Sequence, residues 1–258
     1  MAPLAIMVHG AGGGGWEWIV WKAEFERLGY EVRTPTLTSP DLTNTKLTDY
    51  VDQVVRSAGG RRPAVLVGAS MGGMLALLAA PRLNPERLVL VCSTVPAPIY
   101  RNPKAKYPPI LRWKNGPYSD TVASMPDSTE EMRRFAHPRW RDEAGSVLTA
   151  IARGIPAQPP TMPTLVIVPE GDGDIPPARQ RALARWARAE TISYPGMSHV
   201  GPLLSTKADK VAWDVLTWLG PNRLGQNRGW DRLRSHPRLG HSTGQSASEP
   251  PLTQVAPL

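Results

Sequence analysis

A single cysteine, Cys92, occurs in the 258 residues, so no disulfide can close within the chain. It ends the apolar run Leu88-Val89-Leu90-Val91-Cys92 and reads as a buried strand residue rather than a nucleophile. Long apolar runs are also missing, and nothing approaches the roughly 18 residues needed to span a bilayer. The start, Met1–Val8, has no basic segment ahead of its short apolar stretch and is not read as a signal peptide. Together these absences lead to the expectation of a soluble cytoplasmic protein with no membrane span. Histidine is scarce too, and of the five, His9, His137, His236 and His241 do not pair with Cys or acidic residues at metal-ligand spacing, so no metal is expected. Acidic residues, 22 against 30 basic ones, leave a net charge of +8. The surplus gathers in Arg101–Lys114 and in residues 221–258, with no nucleic-acid module around it, and reads as solvated surface and a disordered basic tail. No nucleic-acid partner is expected; oligomeric state is left open.

What is present is an alternation. Strand-length apolar runs recur at Leu4–Val8, Glu31–Pro35, Ala64–Val67, Arg87–Cys92, Thr164–Val168 and Glu190–Tyr194. Helical spacing separates them: Leu47, Tyr50, Val51, Val54 and Val55 share one face, and Val211, Val215, Trp218 and Leu219 repeat the pattern before Gly220-Pro221. This rhythm predicts an α/β fold, a mostly parallel central sheet with helices on both faces. It breaks between about 95 and 160, where prolines at 96, 98, 103, 108, 109 and 117 argue against regular sheet. Helical spacing then resumes in Trp140, Ala144, Val147, Leu148 and Ile151. The expected organisation is a core of residues 1–95 and 161–220, a helical and irregular lid at 96–160, and a tail at 221–258 whose one candidate anchor is Trp230. Lid residues such as Tyr100, Trp113, Phe135 and Trp140 offer pocket walls, and Arg112 or Arg133 a contact for a negatively charged group.

Gly68-Ala69-Ser70-Met71-Gly72 carries the chemistry. It follows a strand and opens a helix, so Ser70 stands on a sharp elbow with its hydroxyl clear of the sheet. A serine hydroxyl needs a general base, and the base needs an orienting carboxylate. Both follow in the chain: the loop Pro169–Pro177 carries Glu170, Asp172 and Asp174, and the loop Tyr194–His199 presents a histidine. A developing oxyanion needs two donors, read as the N–H of Met71 and that of Ala11 in the turn His9-Gly10-Ala11-Gly12-Gly13-Gly14-Gly15-Trp16. That Gly-rich turn lacks a Gly-Lys-[Ser/Thr] ending or a correctly placed downstream acid, which argues against nucleotide binding.

Val8-His9-Gly10-Ala11 running to Trp16-Glu17-Trp18, Leu28-Gly29-Tyr30-Glu31-Val32, Leu47-Thr48-Asp49-Tyr50-Val51, the Ser70 elbow and the two later loops resemble the α/β-hydrolase superfamily. Within it they are most similar to the small methylesterase and hydroxynitrile lyase branch, over residues 4–95 and 161–220. The resemblance implies Ser70 as nucleophile, His199 as base, Asp172 as its acid by the spacing to Ile175-Pro176, with Asp174 the alternative, and Ala11 and Met71 as oxyanion donors. No cofactor is expected. Lyases of the branch resemble one another in a threonine after the strand-end histidine and a lysine after the catalytic one; Gly10 and Val200 stand there, against cyanohydrin cleavage. The expectation is a serine esterase acting on a small, moderately hydrophobic ester, thioester or lactone. A ligand receptor retaining the pocket and a C–C bond hydrolase or perhydrolase are the alternatives.

Overall fold

All five residues of the first strand, β1 (Leu4–Val8), are buried, because parallel neighbours flank it and helices cover both its faces. A computed structural model describes residues 1–220; the tail expected at 221–258, with Trp230, lies outside the described residues. After β1 come α1 (Ile19–Arg27), β2 (Glu31–Arg33), α2 (Leu47–Ser57), β3 (Val65–Ala69), α3 (Met71–Leu83) and β4 (Arg87–Val91). The segment that follows holds β5 (Ile110–Leu111), α4 (Tyr118–Ser124), α5 (Glu130–Ala136), β6 (Glu143–Ala144) and α6 (Gly145–Arg153). The sheet then resumes with β7 (Thr164–Pro169), α7 (Pro177–Ala187) and β8 (Glu190–Tyr194), followed by α8 (Gly201–Leu204) and α9 (Ala208–Leu219).

The six long strands pair in the order β2-β1-β3-β4-β7-β8, all parallel. Side-chain alternation divides the core in two. Leu4, Ile6, Val8, Leu66, Leu88 and Val166 face α2, α3, α6 and α7, while Ala5, Met7, Val65, Val67, Val89 and Ile167 face α1 and α9. The face predicted for α2 is the one it buries, through Tyr50, Val51 and Val54. Among the described residues no helix is long and apolar enough to cross a membrane.

The sheet and its flanking helices match the fold class expected from the alternating pattern; three details differ. Strand β2 ends at Arg33, two residues short of Pro35, a residue that lacks the N–H a ladder needs. Cys92 is buried as expected but lies just past β4, with its backbone at φ 39°. The helical spacing that begins at Trp140 becomes a helix only at Gly145. Glu143 and Ala144 instead pair antiparallel with Leu111 and Ile110, and the Gly145 N–H donates to Pro109 O at 3.0 Å. Long-range hydrogen bonds there outweigh local periodicity.

Candidate active site

Ser70 joins β3 to α3 with φ 54° and ψ −121°, a left-handed region that disfavours L side chains. Neighbouring backbone sustains the strain. The Ser70 N–H donates to Val91 O at 3.0 Å, and its carbonyl accepts the N–H of Gly73 at 3.0 Å and of Thr94 at 3.1 Å. At Gly72 a Cβ would collide with the carbonyl oxygens of Val8 and His9, so only glycine lets the elbow sit this close to β1. The Met71 N–H opens α3 and has no intrahelical acceptor there.

At the carboxyl end of β7, Asp172 is buried and its four hydrogen bonds fix it. Oδ1 accepts the N–H of Asp174 at 2.9 Å and of Ile175 at 2.8 Å. Oδ2 accepts Gln180 Nε2 at 2.8 Å and His199 Nδ1 at 2.8 Å. Asp174 differs: it lies 4.0 Å from His199 Nε2 and its side chain is 56% exposed. Burial lowers the His199 pKa, but the hydrogen bond and charge of Asp172, with the charges of Asp174 and Glu17, outweigh that and leave it raised. The loop carrying His199 is pinned from the segment between β4 and β7, where Asp127 accepts the Ser198 N–H at 2.9 Å and its hydroxyl at 2.6 Å. The buried Cys92 thiol sits among these groups: burial raises its pKa, the charges of Asp172, Glu17 and Asp174 add to that, and the Ser70 N–H opposes it. Asp172 and His199 thus meet beyond the carboxyl ends of β7 and β8, and Ser70 stands at the carboxyl end of β3 in the same parallel sheet.

The turn after β1 is held peptide by peptide. His9 is buried, donates from Nδ1 to Gly10 O at 2.7 Å and accepts the Leu37 N–H at Nε2 at 2.9 Å, the tautomer being set by these partners. Burial lowers its pKa to about 4, so both nitrogens keep these roles at neutral pH. The Gly10 N–H donates to Glu17 Oε2 at 3.1 Å, and the Gly12 N–H to Glu143 Oε2 at 3.0 Å. The Ala11 N–H, between them, has no protein acceptor among the described residues.

Sequence reasoning missed Glu17, Glu143, Gln180 and Asp127. Glu17 alone stood inside a quoted motif; the other three gain their partners only through folding. Of the residues expected as walls, Trp140 and Phe135 pack edge-on against Trp16 at 5.0 and 6.1 Å, and Tyr100 lies 3.6 Å beneath the Arg179 guanidinium. Thr94, Val95, Tyr100, Leu148, Ile151, Ala152, Ile175 and Arg179 line a small cavity of about 30 Å³. Arg112 and Arg133, expected as anion contacts, are engaged within their own segment, Arg112 with Asp142 at 2.8 Å and Arg133 with the carbonyls of Met125 and Pro126. Asp172, Asp174 and His199 bring donor atoms within 4.8 Å of one another, a spacing that could hold a metal ion. The donor set argues against that use, since both Asp172 oxygens and His199 Nδ1 are already committed to hydrogen bonds.

No curated protein matches the chain's sequence. Among solved structures it resembles an Arabidopsis methylesterase at 16% identity and TM-score 0.68, covering 84% of this chain and 99% of the other. It resembles polyneuridine aldehyde esterase at 17% identity and TM-score 0.63, covering 84% and 100%. A pyrethroid hydrolase from Sphingobium faniae aligns at 19% identity and TM-score 0.64, covering 85% and 98%. At these identities the likeness is one of fold. The family model for the alpha/beta hydrolase family, however, matches residues 5–215, nearly the whole of the described chain, and the protein belongs to that family.

Proposed function

We propose that this protein is a serine hydrolase that cleaves a carboxylic ester through Ser70, His199 and Asp172. The observation that carries the reading is the 2.8 Å hydrogen bond between His199 Nδ1 and Asp172 Oδ2, in a region where Ser70 holds a left-handed elbow. Strain of this kind is retained where the surrounding structure enforces it, most often for function. Ser70 Oγ attacks the ester carbonyl as His199 Nε2 takes its proton. Asp172 keeps Nδ1–H pointed inward and stabilises the imidazolium that forms. The N–H groups of Ala11 and Met71 receive the oxyanion. His199 then protonates the leaving alkoxide, and a water activated by the same nitrogen cleaves the acyl-enzyme. Asp174, exposed and farther from the ring, is assigned no part in the triad.

Residues 96–160 act as a lid in this reading, with aromatic and aliphatic walls that suit a small, moderately hydrophobic substrate. The names of the structural neighbours, methylesterase, polyneuridine aldehyde esterase and pyrethroid hydrolase, support ester cleavage as the reaction class. The test is hydrolysis of short- and medium-chain p-nitrophenyl esters by the wild type beside Ser70→Ala. Turnover abolished by the substitution is the expected result. Wild-type turnover in Ser70→Ala would sink the proposal, and tight ligand binding with negligible turnover would favour a receptor.

A further inference from the structure

Two buried carboxyl groups grip the turn after β1 on either side of Ala11, and neither belongs to the triad. We propose that Glu17 and Glu143 are positioning residues that aim the Ala11 N–H as an oxyanion donor; this rests on the ester-hydrolase reading above. Three successive peptide planes carry the argument. The His9–Gly10 peptide is held at its N–H by Glu17 Oε2 (3.1 Å). The Gly10–Ala11 peptide is held at its carbonyl by His9 Nδ1 (2.7 Å), and planarity turns the Ala11 N–H the opposite way. The Ala11–Gly12 peptide is held at its N–H by Glu143 Oε2 (3.0 Å). With the N–H on each side taken, the Ala11 N–H is left open to an incoming oxygen.

The two carboxyl groups arrive from different parts of the chain. Glu17 rises from the helical turn Gly15–Trp18 and lies against Gly13, where any Cβ would collide with its carboxyl. It has no Lys or Arg within 4.0 Å among the described residues. Glu143 comes from β6, where its Oε1 accepts the Tyr50 hydroxyl at 2.7 Å and the Ala144 N–H at 2.8 Å. Two residues earlier, the Arg141 N–H donates to Gly12 O at 2.7 Å, so this short stretch grips Gly12 at both its N–H and its carbonyl. The donor is thereby tied to the residues read as a lid.

Glu17 also faces titratable groups. His199 acts on it from the loop before α8, Cys92 lies near it beyond β4, and Asp172 and Asp174 act on the same histidine. Burial raises its pKa to about 7, against the Gly10 N–H and His199, so it changes charge in the range where a serine hydrolase works.

The test is the rate at which a fluorophosphonate-rhodamine probe labels Ser70, because its phosphoryl oxygen enters the same hole and no native substrate is needed. Wild type, Glu17→Leu, Glu17→Gln, Glu143→Gln and Tyr50→Phe are measured from pH 5 to 9, with Ser70→Ala as blank and circular dichroism as the folding check. Labelling should slow about tenfold or more in Glu17→Leu and Glu143→Gln, and less in Tyr50→Phe, since a misaimed donor loses part of what a deleted one loses. Glu17→Gln, whose amide oxygen can still accept the Gly10 N–H, should recover most of the rate lost in Glu17→Leu. In both Glu17 variants the acid limb should move to lower pH, because the carboxylate that supports protonated His199 is gone. Folded Glu17→Leu and Glu143→Gln labelled at the wild-type rate would overturn the proposal, as would Glu17→Gln labelled as slowly as Glu17→Leu. If Glu143→Gln does not fold, Tyr50→Phe carries that arm. An unlabelled wild type would instead remove the serine-hydrolase reading itself.

Discussion

At the scale of single residues, the choice between two aspartates shows what distance decides. Asp172 and Asp174 are two positions apart on one loop, and the family spacing favours Asp172 with Asp174 as the alternative. Asp172 is buried with four donors around its carboxylate, whereas Asp174 is exposed and its nearest approach to the ring is 4.0 Å. Asp172→Asn should therefore lower kcat/KM by about 10³–10⁴, the cost of misorienting the base, and Asp174→Asn by less than about tenfold. Steady-state kinetics on a p-nitrophenyl ester would check this, and equal losses would reassign the acid. The same measurement over pH should place the acid limb above the usual imidazole value, since the proposed mechanism needs neutral His199 and its neighbours favour the charged form. Ser70 and His199 were legible because an elbow and a strand-end loop are local patterns. Glu143 was not, because its partner Gly12 is 131 residues away.

Elements decide how tightly those residues are held. The close approach of α3 to β1 at Gly72 leaves no room for a methyl group. Gly72→Ala should thus cost about 3 kcal/mol, the upper end of ordinary overpacking, because the opposing atoms are backbone and cannot swing aside. In a chain of this size that lowers the melting temperature by roughly 6–12 °C, readable by calorimetry. The loop of His199 depends on an element distant in sequence, through the pair of bonds from Ser198 to Asp127. Asp127→Ala should reduce kcat/KM by up to about 10²-fold, as expected for small displacements of a catalytic group, with Asp127→Asn in between. A variant that melts normally and turns over normally would show that the loop holds its shape without this anchor. The late start of α6 belongs to the same scale: Trp140 has helical spacing to its successors, yet strand pairing at Glu143 and Ala144 claims the backbone first.

For the whole molecule, His9 and Glu17 set opposing responses to pH. His9 titrates near 4 when folded against 6.5 when exposed, so the unfolded chain binds its proton first and stability rises as pH climbs from 4 to 6.5. Glu17 titrates near 7 when folded against 4.5 when exposed, so the folded chain keeps its proton longer and stability falls as pH climbs from 4.5 to 7. Each shift corresponds to roughly 3 kcal/mol, and the two nearly cancel. Glu17→Gln removes the second alone, so its urea midpoint should exceed that of the wild type at pH 8 and approach it at pH 5. Parallel pH profiles would show that Glu17 does not titrate as its burial implies. A residue that costs stability near neutral pH while touching the turn proposed to supply an oxyanion donor fits the trade of stability for function. By itself the sequence determined the parallel α/β sheet, the elbow at Ser70 and the loops that carry Asp172 and His199, because strand alternation, helix spacing and strand-end turns are written in neighbouring residues. Only the tertiary structure decided which aspartate meets the histidine, and that Glu17, Glu143, Asp127 and Gln180 brace the site. Those contacts join residues whose separation along the chain carries no periodic signal, and their buried polar groups find partners only once the sheet has brought the loops together.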